Sequence, residues 1–152
     1  MGLGDLVHTK QVVPDFLYRK ATAGYTPAGG DPVYFVKTTG DIQIATDATD
    51  DGPVFIVSNL THVVDGVTYY AVCIQGYIVT TAGGAIYPGK YVAVDSSSKW
   101  IAIAEAATAT AANNADVLFK GGHLYIGLES DNQYAQTVSA DTNLIVVKVG
   151  GR

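Results

Sequence analysis

The stretch VVDGVTYY at residues 63–70 places the Asp65-Gly66 pair between two runs of β-branched and aromatic residues. An Asp-Gly pair favours the tight two-residue turn of an antiparallel hairpin, because both central positions of that turn adopt positive φ. Val, Thr and Tyr on either side are strand formers. The stretch therefore predicts a β-hairpin whose second strand continues through Cys73 and Ile74.

Similar short apolar runs, bounded by Gly, Pro, Asp and Ser, lie on both sides of this hairpin and predict further strands. The Ala-, Thr- and Asn-rich segment 105–116 leaves a short helix and a surface loop as alternatives. The sequence thus predicts an all-β fold, either a small β-barrel or a β-tulip or sandwich. The additional strands are expected at residues 33–36, 42–45, 54–57, 76–81, 91–94, 100–104, 117–119, 124–128 and 144–149.

The first twenty residues differ from the rest, because their apolar and polar residues follow no clean period. Pro14 restricts Val13 before it to extended backbone. We expect an extended N-terminal arm over residues 1–20 and a single β domain over residues 21–152. The arm is expected to contact another subunit, and its removal is expected to leave the domain folded.

Two segments, 28–45 and 82–104, resemble each other. Each has a small-residue turn, a proline, a four-residue β run, a polar turn and an Ile-x-Ile-Ala strand. A hairpin used twice suits a small barrel or sandwich, although β-hairpins in general share these features. In the second segment, Gly83 or Gly84 is expected to adopt a backbone conformation that other residues avoid.

The amino-acid composition limits the classes of partner that this protein could bind. The 152 residues are 48% hydrophobic and 15% charged, with a net charge of −5. Nucleic-acid binding needs clustered Lys and Arg, and the sequence has no basic run, so no nucleic-acid partner is expected. No apolar run approaches the ~18 residues of a membrane span, and the N-terminus does not resemble a signal peptide. We expect a protein made in the cytoplasm, with no membrane partner.

The residues that could carry chemistry do not form a recognisable motif. His8, His62 and His123 lack companion ligands at metal-binding spacing and are interpreted as solvent-facing or loop residues. Cys73 lies in an apolar run and is interpreted as a buried small hydrophobe. The loop acids Asp47, Asp50 and Asp51 lack the pattern of a calcium loop. The sequence therefore predicts no catalytic residue, no cofactor, no metal and no enzymatic activity.

Ten tyrosines are the one notable enrichment. Tyrosine has a large apolar ring with a polar tip, which suits protein interfaces, although it also suits β-sheets. Together with apolar residues of the arm, four of them are the candidate partner contacts. The full set is Val7, Val12, Val13, Phe16, Tyr69, Tyr70, Tyr87 and Tyr91.

The stretch GYIVTTAGGAIYPGKYVAVD at residues 76–95 resembles small capsid decoration (cement) proteins of tailed phages. Members of that group show a strand, an Ala-Gly-Gly-x-Ile turn, a Pro-Gly step and then Val-x-Val-Asp. Gly127-Leu128 and the strand 144–149 resemble later steps of the same pattern. The resemblance covers about half of the chain and does not extend to residues 1–20 or 105–116.

The resemblance implies a virion protein on the capsid exterior. Such a protein binds the major capsid protein in the assembled shell, stabilises it, and forms a homotrimer without catalytic residues. Two alternatives remain open: another β-type virion component, such as a head fibre base, tail tube or adaptor, or a small ligand-binding β-barrel.

Overall fold

The computed structural model describes residues 2–7, 13–49, 52–103, 121–131 and 137–150. These residues are almost entirely β, as predicted, and a single 3-10 turn follows β9 at Glu129–Asp131. The predicted segment 105–116 and the predicted strand 117–119 lie outside the described residues. The strands are β1 (Leu6–Val7), β2 (Asp15–Arg19), β3 (Pro32–Phe35), β4 (Ile42–Ile44), β5 (Phe55–Val64), β6 (Val67–Thr81), β7 (Tyr91–Val94), β8 (Trp100–Ala102), β9 (Gly121–Leu128) and β10 (Leu144–Val149).

All ten strands belong to one curled antiparallel sheet that forms a half-barrel. The order is β4-β3-β5-β6-β10-β9-β7-β8, and β1 and β2 pair with β6 outside this path. Strand β6 is central, because its first half pairs with β5 and β2 while its second half pairs with β10 and β1. Gly76 lies where these partners change; its φ is 126°, and a Cβ at this position would lie 2.9 Å from the Cα of Pro14.

The hairpin predicted from residues 63–70 is confirmed. Val64 pairs with Val67, and the turn residues Asp65 and Gly66 have φ values of 50° and 78°. The strands are longer than predicted, since β5 starts at Phe55 and β6 runs without a break to Thr81. The runs expected at 54–57 and 76–81 are therefore parts of this one long hairpin.

The N-terminal segment is extended, but its described part is built into the sheet. Leu6 pairs with Ile78 in β6, and Leu17 pairs with Val72 in the same strand. The backbone N–H of Gly4 also donates to the carbonyl of Val79 at 2.9 Å. The described residues before residue 20 are therefore part of the sheet, because β1 and β2 supply the neighbours of β6 along one edge.

The similarity between segments 28–45 and 82–104 reflects a repeated arrangement of strands in the sheet. Strands β2 to β5 and the first half of β6 form one unit, with order β4-β3-β5-β6-β2. The second half of β6 and strands β7 to β10 form another, with the equivalent order β8-β7-β9-β10-β6. Each unit also contains one isolated parallel β-bridge, from Ala21 to Ile42 in the first unit and from Ala82 to Trp100 in the second.

The cross-strand pairs correct the alignment of this repeat by one residue. The two bridges make Ile42 equivalent to Trp100, whereas the shared Ile-x-Ile-Ala pattern aligns Ile42 with Ile101. Ile42 and Trp100 are both buried, but Ile101 is exposed. A shift of one residue in a strand moves a side chain to the opposite face, so the pattern matched an inward residue with an outward one.

The buried apolar side chains form two clusters. The smaller cluster lies in the first unit and contains four fully buried side chains, Val33, Ile42, Val57 and Val72. Their equivalents in the second unit lie in the larger cluster. Ala45, Val54, Ile56 and Cys73 from the first unit also belong to the larger cluster, so the two units share a packed boundary.

The expectation for Gly83 and Gly84 is wrong, because neither has a positive φ. A Cβ on Gly83 would overlap the Asp95 carboxylate, so that position has no room for a larger side chain. A Cβ on Gly84 would meet nothing within 4 Å. The Ala-Gly-Gly turn therefore needs one small residue for packing rather than for backbone conformation.

Candidate interaction surface

The structure buries two of the side chains that could carry chemistry, Cys73 and His123. Cys73 is buried, as predicted, and burial raises the pKa of its thiol to about 12. It is therefore a protonated core residue at neutral pH rather than a nucleophile. His123 is buried in β9, which corrects its interpretation as a solvent-facing or loop residue. Its Nε2 lies 2.6 Å from the carbonyl oxygen of Val54, and its Nδ1 accepts the Gly150 N–H at 3.2 Å.

Within the described ranges, no three His, Cys, Asp or Glu side chains are grouped as metal ligands would be. His62 lies exposed on β5, and Asp47 is an exposed loop residue. His8, Asp50 and Asp51 lie outside the described residues. No helix in the described parts of the chain has the length and apolar character needed to cross a membrane.

The contact residues predicted in the N-terminal segment are dispersed. Val7 is half-buried in β1 opposite Tyr77, and Val13 is 77% exposed just before Pro14. Phe16 is half-buried in β2, where its ring meets that of Tyr18 edge-on. Val12 lies outside the described residues.

The four predicted tyrosines form two separate groups. Tyr69 and Tyr70 are half-buried in β6, near the hairpin turn, and Tyr70 packs against the smaller core cluster. Tyr87 and Tyr91 are 61% and 54% exposed near the start of β7. Only Phe16, Tyr69 and Tyr70 lie on the same part of the sheet, where β2 and β5 flank the first half of β6.

Beyond this region the β5–β6 hairpin extends without flanking strands. We call residues 59–68 the projecting hairpin. In the described chain, β3 pairs with β5 no further than Ile56, and β2 pairs with β6 no further than Tyr70. Every residue from 59 to 67 is exposed. The hairpin therefore extends beyond the strands that flank its base.

Apolar side chains occupy both faces of the projecting hairpin. Val64 and Val67 are directly opposite each other on one face, 45% and 42% exposed. Val63 is on the other face, 61% exposed and opposite Thr68. Leu60, nearer the base, is also exposed. Grouped exposed apolar side chains of this kind are typical of interaction sites.

The base of the projecting hairpin is held by hydrogen bonds. Asn59 Nδ2 donates to the Leu3 carbonyl at 2.6 Å and to the Asp5 carboxylate at 2.9 Å. Ser58 Oγ is buried and donates to the Ala71 carbonyl at 2.8 Å. On the face that carries Val64, the ring of His62 lies 6.1 Å from that of Tyr18. The base of the hairpin is thus anchored to the turn before β1, to β2 and to β6.

The hairpin is nearly free of charge. From residue 52 to residue 89, Asp65 is the only Asp, Glu, Lys or Arg. Exposed strands usually carry charged residues that prevent association. Here the one carboxylate lies at the turn, so the strands on either side offer an uncharged surface.

Sequence reasoning located this hairpin but did not identify Leu60, Val63, Val64 and Val67 as surface residues. Strand runs of Val and Leu are typical of a core, and nothing local distinguishes an exposed run from a buried one. The available signal was the long uncharged stretch around a two-residue turn. This uncharged stretch alone fits a buried hairpin equally well. It indicates an exposed hairpin only when the ends of the neighbouring strands are known.

No protein-family model matches this chain, and no curated protein matches it significantly, so its function is inferred from its sequence pattern and its surface.

Proposed function

We propose that this protein is a capsid decoration (cement) protein that binds the outer surface of an assembled tailed-phage capsid and stabilises the shell. Its partners are the major capsid protein and further copies of itself in a homotrimer. The proposal joins the resemblance of residues 76–95 to a surface suited to adhesion.

The observation that carries the proposal is the projecting hairpin, an anchored, uncharged β element with apolar side chains on both faces. An apolar surface of this kind gains free energy when a partner removes it from water. Repeated contacts with a lattice would add to this, because each contact after the first is effectively intramolecular.

A co-sedimentation experiment tests the proposal. The purified protein is mixed with expanded capsids of the virus that encodes it, and in parallel with free major capsid protein. We expect saturable binding to the capsids, weak or no binding to the free subunits, and greater resistance of decorated capsids to heat. Absence of binding to expanded capsids would overturn the proposal, and binding to tails instead would support another virion component.

Light scattering on the isolated protein tests the expected homotrimer. A molar mass of three chains supports this part of the proposal. A monomer that binds capsids would contradict the trimer while leaving the decoration function in place.

A further inference from the structure

We infer that the projecting hairpin is the capsid-binding element, and that it inserts into an apolar crevice between neighbouring subunits of the shell. This inference rests on the proposed function and assigns its contact site. It concerns residues 59–68, none of which was among the predicted contacts, although two of those contacts, Tyr69 and Tyr70, lie at the adjoining base of the hairpin.

The first argument is that the hairpin is apolar on both faces. Val64 and Val67 lie on one face, and Val63 lies on the other. A flat docking surface would cover only one of them and leave the other in water. A crevice covers both, so the distribution of valines favours insertion over face-to-face contact.

The second argument concerns charge. The whole chain carries a net charge of −5, but residues 52–89 carry only the Asp65 carboxylate. An element that binds a basic partner surface would carry several acidic residues, and the hairpin has only Asp65. The partner expected from the hairpin is therefore an uncharged apolar surface, and binding should depend little on ionic strength.

The third argument is preorganisation. The bonds from Asn59 to Leu3 and Asp5 fix the base, and the turn at Asp65 and Gly66 has the positive φ values of a tight hairpin. A rigid element loses little conformational entropy on insertion, which favours tight binding from a small area.

A crevice between subunits also explains why binding should require an assembled shell. Two walls supplied by two neighbouring subunits exist only after assembly, whereas a single free subunit offers one. A second copy of this chain is the competing occupant. A symmetric pair of hairpins would cover one face of each hairpin and leave the other exposed.

The test compares single carboxylate substitutions on the two faces. Val63→Asp and Val64→Asp place a charge on opposite sides of the hairpin, and both positions are exposed, so the fold should tolerate them. Burying an unpaired carboxylate is costly, and we expect each variant to bind expanded capsids at least about tenfold more weakly. Val138→Asp, at a valine 40% exposed elsewhere on the protein, is the matched control and should bind like the wild type.

The outcomes separate the inference from the proposed function. If wild-type protein does not bind capsids, both are overturned. If wild type binds and both hairpin variants bind equally well, only the inference is overturned. Weakening by Val64→Asp alone would also overturn insertion, because a flat contact on one face would then suffice.

Two further measurements complete the test. Wild-type affinity should change less than about twofold between roughly 0.05 and 0.5 M salt, and a steep loss would contradict an uncharged contact. Light scattering without capsids should give the same molar mass for the wild type and both hairpin variants. A lower mass for the variants would assign the hairpin to contacts between copies and overturn the inference.

Discussion

The imidazole of His123 lies in the apolar boundary between the two units, with both ring nitrogens hydrogen-bonded. Because Nδ1 accepts the Gly150 N–H, Nε2 carries the proton and donates to the Val54 carbonyl. Its ring neighbours are Phe55 and Trp100. Phe55 occupies the equivalent position in the first unit, since Val33 pairs with Phe55 as Val92 pairs with His123. The second unit thus has an imidazole where the first has a phenyl ring, and two main-chain groups are available to bond it.

Burial lowers the pKa of His123 from 6.5 to about 4. The unfolded chain therefore binds a proton at His123 between these pH values while the folded chain does not. The free energy of unfolding should fall as the pH drops from 6.5 to 4, by about 3 kcal/mol at most. Denaturant titrations at a series of pH values measure this slope.

His123→Phe isolates the contribution of His123 from that of the carboxylates. The variant should be less stable at pH 7, because the Val54 carbonyl and the Gly150 N–H each lose a partner at a cost of about 1–3 kcal/mol. Its stability should fall less steeply below pH 6.5 than that of the wild type. His62→Phe changes an exposed histidine and should retain the wild-type slope. Parallel profiles for wild type and His123→Phe would contradict the role of His123.

At the scale of elements, β6 organises the sheet because this one strand pairs with four others. Its 15 residues pair with β1, β2, β5 and β10, and its second half takes the place in the second unit that β2 takes in the first. The N-terminal strands β1 and β2 complete one of its edges. Leu6 also packs against the larger core cluster.

Deletion of residues 1–20 should destabilise the protein by at least about 3 kcal/mol, because it removes two strands and uncovers apolar groups of β6. Thermal unfolding followed by circular dichroism, with light scattering for aggregation, measures the effect. Val13→Ser, which changes an exposed residue between the two strands, should melt like the wild type. A truncated protein with the wild-type melting temperature would restore the view of these residues as a separable arm.

At the scale of the whole molecule, the two units are not independent domains. They share β6, and four residues from the first unit lie in the larger core cluster with the second. His123 of the second unit contacts both Val54 and Phe55 of the first. Neither unit can lose its packing without exposing apolar surface of the other.

We therefore expect one cooperative unfolding transition. Trp100 is the only tryptophan and lies in the core of the second unit, so its fluorescence reports that unit. Far-ultraviolet circular dichroism reports the strands of both. In a guanidinium titration the two signals should give the same midpoint, as expected of a two-state domain. Midpoints that differ beyond error would show that the units unfold separately.

The sequence by itself determined the strands and their turns, because these depend on neighbouring residues. The Asp65-Gly66 turn, the alternation around Ile42 and the apolar strand 144–149 are local signals, and each lies where it was predicted. The doubled hairpin was also visible as a sequence pattern, although one residue out of register. These features are sufficient for the all-β class.

Only the tertiary structure decided which apolar residues are covered. Strand pairing between residues far apart in the chain places Leu6 and Leu17 against β6, buries His123 beside Val54, and stops the flanking strands before residue 59. Val57 and Val63 lie in the same strand and are chemically identical, yet one is in a core and the other is in water. Burial depends on where neighbouring strands end, and no local stretch of sequence contains that information.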